Sequence, residues 1–464
     1  MDGGVMGKST MDGGSATHFK GWRKKFRVDG LCDWLVFMGG VVSALFLVWA
    51  LWRVGSSNYT METLKTEGNP VTHKCQGSNS GETSYSGVGD WDKGPENFYN
   101  DPQVGYTIGK TIKGWDMKRK MWLEQHPHAK NYAKSRVLLV TGSQATPCKN
   151  PIGDNLLLRS FKNKMDYCRR HGVDIFYNTV LLEEHMYTFW SKIPLVRAAM
   201  VAHPEAEWIW WMDADAVITD MDFELPLESY ENYNMVLHGW KHLVYEKRSW
   251  TSINAGIFLM RNCEWSMEFM ERWASMGPQT PQFDASSELL SDTLPDRAFK
   301  DSDDQSAIVY LLLKEKEKWG DKIFLENLYN LNGYWVEIVG SYEDIENIYK
   351  AAEKEHPILN QRHAEKMSRE YAEMRKLYMG FDKKAVSMGQ AEMNKRRRPF
   401  VTHFAGCQPC SGNHNKIYSS ENCWKGMERA LNFADNQVLR NYGFKHDNLS
   451  SNHVTPISSF YIPF

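Results

Sequence analysis

The sequence predicts an α/β domain built on a parallel sheet covered by helices. Three observations predict it. Between residues 136 and 212, apolar runs of strand length alternate with stretches of helical spacing, the pattern of βαβ units. Two of those runs break into short turns, Gly142-Ser143-Gln144 and Asp213-Ala214-Asp215, where open α/β sheets present their ligand-binding groups. The composition is that of a folded protein, with 464 residues, 42% hydrophobic and 24% charged, which excludes a mostly disordered chain.

Charge excludes one large class of partner. Lys+Arg 55 against Asp+Glu 57 leaves a net charge of -2, so no nucleic-acid partner held through overall charge is expected. Aromatic residues reach 13%, which suits either a large core or a cleft that stacks on sugar rings.

Taken in chain order, residues 1–33 read as a cytosolic tail and 34–52 as a transmembrane signal anchor. From Trp34 to Trp52 no charged residue interrupts the run, which as a helix is about 28 Å long at about 1.5 Å per residue and spans a bilayer core. Lys20, Arg23, Lys24, Lys25 and Arg27 precede it, and only Arg53 follows closely. The positive-inside rule then sends the rest of the chain to the lumen, a single-pass type II topology. A cleaved signal peptide is the rival, but its apolar core is shorter and no A-x-A-like site closes this one. Residues 53–104, rich in Gly, Ser, Thr and Asn, read as a stem. The remainder, 105–464, is the expected catalytic domain.

Lumenal exposure gives Asn58-Tyr59-Thr60 and Asn448-Leu449-Ser450 meaning as glycosylation sequons. Of the cysteines, Cys75, Cys148, Cys168, Cys263, Cys407, Cys410 and Cys423 lie beyond the anchor and Cys32 at its edge. An odd lumenal number leaves at least one thiol free or intermolecular. Cys407-Gln408-Pro409-Cys410 has CxxC spacing, but no second CxxC supports zinc. A disulfide to Cys423 or elsewhere is expected in an oxidising lumen.

Within the catalytic domain, Arg136–Gly142 predicts a strand, Leu156–Arg170 a helix and Asp174–Tyr177 a second strand. Ser191–Ala202 predicts another helix and Glu207–Met212 a third strand; Met235–His238 and Ile257–Met260 add two more. Residues 349–397 are charged, rich in helix formers and end in Lys395-Arg396-Arg397-Arg398. They predict a solvated helical insertion.

The apolar strand Trp208–Met212 runs straight into Asp213-Ala214-Asp215. Two carboxylates one residue apart on a tight bend both reach a hard divalent cation, which can in turn bridge a diphosphate. A lone DxD is weak, since acidic pairs commonly cap loops. At the end of a hydrophobic strand in a lumenal type II protein it points to sugar transfer from a nucleotide sugar, with the cation neutralising the leaving diphosphate. Thr402-His403-Phe404 closes another apolar stretch, making His403 the candidate third ligand. Imidazole beside two carboxylates shifts preference from Mg²⁺ towards Mn²⁺. Asp303-Asp304-Gln305 opens a helix, where N-capping by Ser302 or Asp303 competes with a functional role. Asn254-Ala255-Gly256 has small residues that let backbone approach a ligand.

Four segments together resemble the plant glycosyltransferase family 34. They are Trp208–Asp215, Asn254–Asn262 (NAGIFLMRN), Asp303-Asp304-Gln305, and Arg398–Cys410 (RPFVTHFAGCQPC), followed by the closing Gly426–Leu439. The resemblance covers roughly residues 97–449. It implies a GT-A fold, a Rossmann-like mixed sheet flanked by helices, with retaining transfer in the Golgi. It implies Asp213, Asp215 and His403 as Mn²⁺ ligands, and Gly142, Ser143 and Gln144 as the nucleotide-binding turn. Lys192 matches a basic position near the donor, and Ala214, Ala255, Gly406 and Gln408 belong to the matching donor-binding segments. Asn254, Asp304 and Gln305 match positions around the transferred sugar, where catalytic roles are expected.

The family contains galactomannan galactosyltransferases and xyloglucan xylosyltransferases. Gln408 stands where xylosyltransferases carry Lys, and Ala255 where they carry Thr; the galactosyltransferase branch is similar at both positions. That branch also shares the charged stretch around Arg362-His363-Ala364-Glu365-Lys366. The resemblance therefore implies galactose transfer from UDP-galactose to O6 of a β-1,4-mannan, a mannan synthase or oligomeric partner, and residence in the Golgi membrane. Xylose transfer from UDP-xylose to a glucan, and a non-catalytic scaffold, are the alternatives. Ala255, beside Asn254, is expected to leave room for the C6 group of galactose.

Overall fold

The computed structural model describes Phe98 and residues 101–457, apart from 128, 130–135, 298–299, 382–383, 385–388 and 413–414. These all fall in one compact unit, Gly87–Phe464. The expected tail, the anchor at 34–52, nearly all of the stem, Cys32, Cys75 and Asn58 lie outside the described residues. Among the described residues no helix is long and apolar enough to cross a membrane.

After helix α1 (Trp115–Gln125), the alternation read from the sequence builds the expected parallel unit. β1 (Val137–Gly142) leads through α2 (Pro151–His171) to β2 (Asp174–Asn178), then through α3 (Lys192–Ala202) to β3 (Trp208–Met212). Both β2 and β3 pair parallel with β1. α2 starts earlier than its apolar spacing predicts because Asn150 caps it, accepting from Gly153 N at 2.8 Å with Pro151 in the first turn. Gly172, at φ 66°, ends it.

Beyond β3 the sheet turns mixed. β4 (Ala216–Ile218) leaves it, and β5 (Met235–Gly239), β6 (Ile253–Arg261) and β7 (Ile323–Glu326) complete it in the order β2-β1-β3-β6-β5-β7. β6 runs antiparallel to both β3 and β5, whereas β5 and β7 are parallel. The parallel reading therefore holds for the first three strands and the sheet as a whole is mixed. α4 (Glu264–Ala274), α5 (Phe283–Thr293) and α6 (Asp304–Lys314) carry the chain from β6 to β7. A smaller sheet, ordered β4-β9-β8, combines β4 with β8 (Gly333–Tyr334) and β9 (Val401–His403).

Each face of the large sheet has its own core. Ile209, Leu237, Phe258, Trp273 and Ile308 belong to one; Trp208, Trp210, Ile257, Val401 and Phe433 belong to the other. The second core is closed by α7 (Tyr342–Glu355), α8 (Ser368–Met379) and α9 (Ser420–Tyr442), with a short antiparallel pair β10 (Phe444–Lys445) and β11 (Thr455–Pro456) at the end.

The insertion at 349–397 is helical but not simply solvated. Ala372, Met379, Phe381 and Met393 are buried, and Arg375 reaches inward to Asp222. Its charged residues outnumber a narrow apolar stripe, and that stripe docks onto the second core.

Candidate active site around Asp213, Asp215 and His403

β3 and β4 are joined by the Asp213–Asp215 turn, and β9 brings His403 to it by pairing with Ala216. One ligand atom each from Asp213, Asp215 and His403 lies within 4.8 Å of the others. His403 Nε2 is 3.2 Å from Asp215 Oδ1 and 3.9 Å from Asp213 Oδ2. The imidazole's other nitrogen, Nδ1, donates to Asn332 Oδ1 at 2.7 Å. Burial alone would lower the His403 pKa, but Asp215 and Asp213 outweigh it and raise the value above its ordinary one. Asp213 is fixed from two sides: Trp211 Nε1 donates to its Oδ1 at 2.7 Å, and its own N–H bonds Gly256 O at 2.8 Å. Gly256 is required by space. A Cβ there would collide with His403 Cε1 and lie 2.8 Å from Asp213 Oδ2.

Facing this group, Lys192 at the start of α3 links three elements. Its Nζ lies 2.7 Å from Asp304 Oδ2 and 3.4 Å from Asp213 Oδ1, and donates to Ala255 O at 3.0 Å. Burial opposes the charge on Lys192, yet the two carboxylates together raise its pKa. At Asp304 burial wins over the single lysine and pushes the carboxyl up to about 6. Asp303, by contrast, is the N-cap of α6, accepting from Ser306 N at 2.8 Å. Gln305 accepts from Ala255 N at 3.2 Å and donates to Trp250 O at 2.9 Å. Asn254 Oδ1 accepts from Gly256 N at 2.7 Å.

Ala255 departs from expectation. Its methyl is 1% exposed and belongs to the core with Ile253 and Phe258, because adjacent strand residues point to opposite faces. Only its backbone meets Lys192 and Gln305.

The Gly142-Ser143-Gln144 turn lies at the end of β1, beside β3. A Cβ at Gly142 would collide with Asn178 O, and Ser143 Oγ shares a 2.8 Å hydrogen bond with Tyr177 OH. The Arg398–Cys410 segment returns to this turn. A disulfide joins Cys410 to Cys148, a second joins Cys407 to Cys423, and Cys168 and Cys263 are free. Gln144 lies against Cys410 Sγ. Gly406 takes φ 84° and Gln408, exposed, takes φ 41°, both in the left-handed region. Asn448 is exposed at its sequon, outside this site.

Residues 133–414 match the galactosyl transferase GMA12/MNN10 family. The chain belongs to this family, glycosyltransferase family 34. The glycosyltransferase is 53% identical to galactomannan galactosyltransferase 1 of Cyamopsis tetragonoloba, over 78% of this chain and 80% of that protein. It is 46% identical to glycosyltransferase 6 of Arabidopsis thaliana over 90% of this chain and 93% of that protein. To probable xyloglucan 6-xylosyltransferase 1 of Oryza sativa subsp. indica it is 46% identical, over 76% of this chain and 70% of that protein. The solved galactosyltransferase LgtC aligns over 64% of this chain and 95% of its own at 10% identity and a TM-score of 0.30, too low to carry an argument.

The residues of this glycosyltransferase fit a divalent cation. Two carboxylates and an imidazole converge, and the Asn332 bond would hold the His403 proton on Nδ1 and leave Nε2, which lies against Asp215, to take the cation, the arrangement expected of a metal-bound histidine. Asn332 escaped the sequence reading, as did Ser160 and Lys164 on the inner face of α2. Ser160 Oγ donates to Ala214 O at 2.7 Å, and Lys164 Nζ to Ala216 O at 2.7 Å. Lys164 is fully buried, and desolvation lowers its pKa to about 7 against the pull of Asp215 and Asp213. Both hold the turn by its carbonyls. Ser160, Asn163, Lys164 and Tyr167 recur at helical spacing, a polar stripe that could have marked α2 as facing something other than plain core.

Proposed function

We propose that this glycosyltransferase moves α-galactose from UDP-galactose to O6 of mannosyl residues in a β-1,4-mannan, with retention at C1. The observation that carries the transfer chemistry is the convergence of Asp213, Asp215 and His403 opposite the Lys192–Asp304 pair. In this reading the three ligands hold Mn²⁺, which supplies charge neutralisation at the leaving diphosphate. Gly142, Ser143 and Gln144 hold the nucleotide, and Lys192 with the Gly406–Gln408 segment flanks the diphosphate. Asn254 and Gln305 orient the sugar.

Retention needs either a covalent intermediate on a protein nucleophile or front-face attack. Asp304 is the carboxylate available for the first, but it is buried and engaged by Lys192. Front-face attack is favoured, with the acceptor hydroxyl losing its proton to the departing diphosphate oxygen.

Galactose is supported by the 53% identity to a galactomannan galactosyltransferase and by Gln408 in place of Lys. Ala255 supports it less than its sequence position implies, since its methyl is core. The 46% identity to a probable xyloglucan xylosyltransferase favours the second reading, xylose transfer to a glucan. The same proposal places the enzyme in the Golgi membrane with its catalytic domain lumenal, where disulfides such as Cys148–Cys410 persist, and where Asn448 is open to glycosylation.

The test is transfer by the purified protein from UDP-galactose to mannohexaose. EDTA should abolish it, and Mn²⁺ should restore it better than Mg²⁺. Full activity without metal contradicts the metal assignment, and xylose transfer to cellohexaose alone contradicts the sugar assignment.

A further inference from the structure

β8 is the edge of the small sheet, and Asn332 immediately precedes it. Asn332 bonds His403, and Tyr334 is the register partner of His403. Tyr334 therefore stands one strand out from a metal ligand, on the ligand's own face. It is 37% exposed. Its hydroxyl pairs with that of Tyr418, and the Tyr418 ring lies over Gly406, where a Cβ would come 3.2 Å from Cε2.

Behind this pair the packing is tight. Trp335 stacks on Phe404 at 5.6 Å and meets Tyr418 edge-on at 5.0 Å. A Cβ at Gly426 would press on both Phe404 and Trp335, at 3.2 and 3.3 Å. Ile417, next to Tyr418 in the chain, is 73% exposed. Two paired phenol rings, one of them preceded in the chain by the exposed Ile417, thus form a partly open wall one strand out from His403.

We propose that this wall is an acceptor subsite on which a pyranose ring of the acceptor chain stacks. The inference rests on the polysaccharide acceptor of the proposed function. The direction of the small sheet favours acceptor over nucleotide. β4 is held by α2, the helix that follows the expected nucleotide turn, through Ser160 and Lys164, and β8 lies at the opposite edge. Aromatic faces suit the C–H faces of a neutral sugar, and phenol hydroxyls suit its equatorial hydroxyls.

Tyr334→Ala and Tyr334→Phe test it, with KM for mannohexaose, KM for UDP-galactose and donor hydrolysis without acceptor as readouts. Tyr334→Ala should raise the acceptor KM about tenfold while donor KM and hydrolysis hold, and Tyr334→Phe should retain most of the affinity. An unchanged acceptor KM, or a donor KM that rises equally, overturns the proposal. Should Tyr334→Ala fail to fold, Ile417→Asp at the exposed end must raise the acceptor KM, and no change there overturns it as well. If the wild type uses only UDP-xylose and cellohexaose, the galactosyl reading falls and the wall is tested with that pair.

Discussion

Asn332 fixes the tautomer of His403. The amide oxygen accepts from Nδ1 at 2.7 Å, so a neutral imidazole keeps its proton there and Nε2, on the side of Asp213 and Asp215, is the nitrogen left for a cation. Gly333 keeps this geometry tight, since a Cβ would collide with Ile338 and lie 2.6 Å from Val401 O. Asn332→Leu should weaken Mn²⁺ binding by about 10- to 100-fold, while Asn332→Asp, which still accepts, should retain most of it. The free-ion EPR signal during a Mn²⁺ titration measures both.

Gly256 offers a sharper steric test. Its missing side chain is the space that His403 and Asp213 occupy, and neither can retreat, because Asn332 and Trp211 hold them. Gly256→Ala should abolish metal binding and transfer while the far-UV circular dichroism stays that of the wild type. Retained Mn²⁺ affinity would show that the ligands can rearrange.

A buried charge cluster on the far side of β4 governs acid stability. Asp222 meets Arg170 and Arg375 and lies 3.1 Å from Arg398. Burial works against its ionisation, but Arg375, Arg170 and Arg398 hold its carboxyl well below the ordinary range. Such a depressed carboxylate stabilises the fold above its unfolded value, near pH 4, and that contribution is lost as pH falls further. Asp220 next to it, pushed up to about 6 by burial, acts oppositely, favouring the fold as pH drops from about 6 to 4. Denaturant unfolding should therefore show a steep loss of stability below about pH 4. Asp222→Ala, leaving three buried guanidinium groups poorly matched, should cost about 3–5 kcal/mol at neutral pH and flatten the acid slope.

The Cys148–Cys410 disulfide bonds the residues just before α2 to the segment after His403, and Gly153 is tight against Pro409 O, which a Cβ there would approach to 2.7 Å. Cys148→Ser should loosen the Gly406–Gln408 segment against the Gly142 turn. The donor KM should rise on the order of tenfold, with the acceptor KM changed little; the reverse pattern would place the segment at the acceptor.

What the sequence made legible was carried by strong local signals. The first three strands are continuous apolar runs, and Asp213-Ala214-Asp215 interrupts one of them abruptly. The return of β6 between β3 and β5 was not legible, because an apolar run reports burial and not direction. Asn332 was invisible for a related reason: a single Asn before Gly reads as a turn, and only β8–β9 pairing brings it under His403. That the Ala255 methyl belongs to the core was not legible from its adjacency to Asn254, since the pleat sends neighbouring side chains to opposite faces. In the insertion, charges masked the few apolar positions that dock.

The central claim is galactose transfer to mannan, and one competition measures it most directly. The purified enzyme is given Mn²⁺, equal UDP-galactose and UDP-xylose, and both mannohexaose and cellohexaose, and the products are identified by mass and by α-galactosidase digestion. The account predicts a hexose added to mannohexaose and released by α-galactosidase, with at most minor pentose transfer. A pentose added to cellohexaose, with mannohexaose left unmodified, would contradict it.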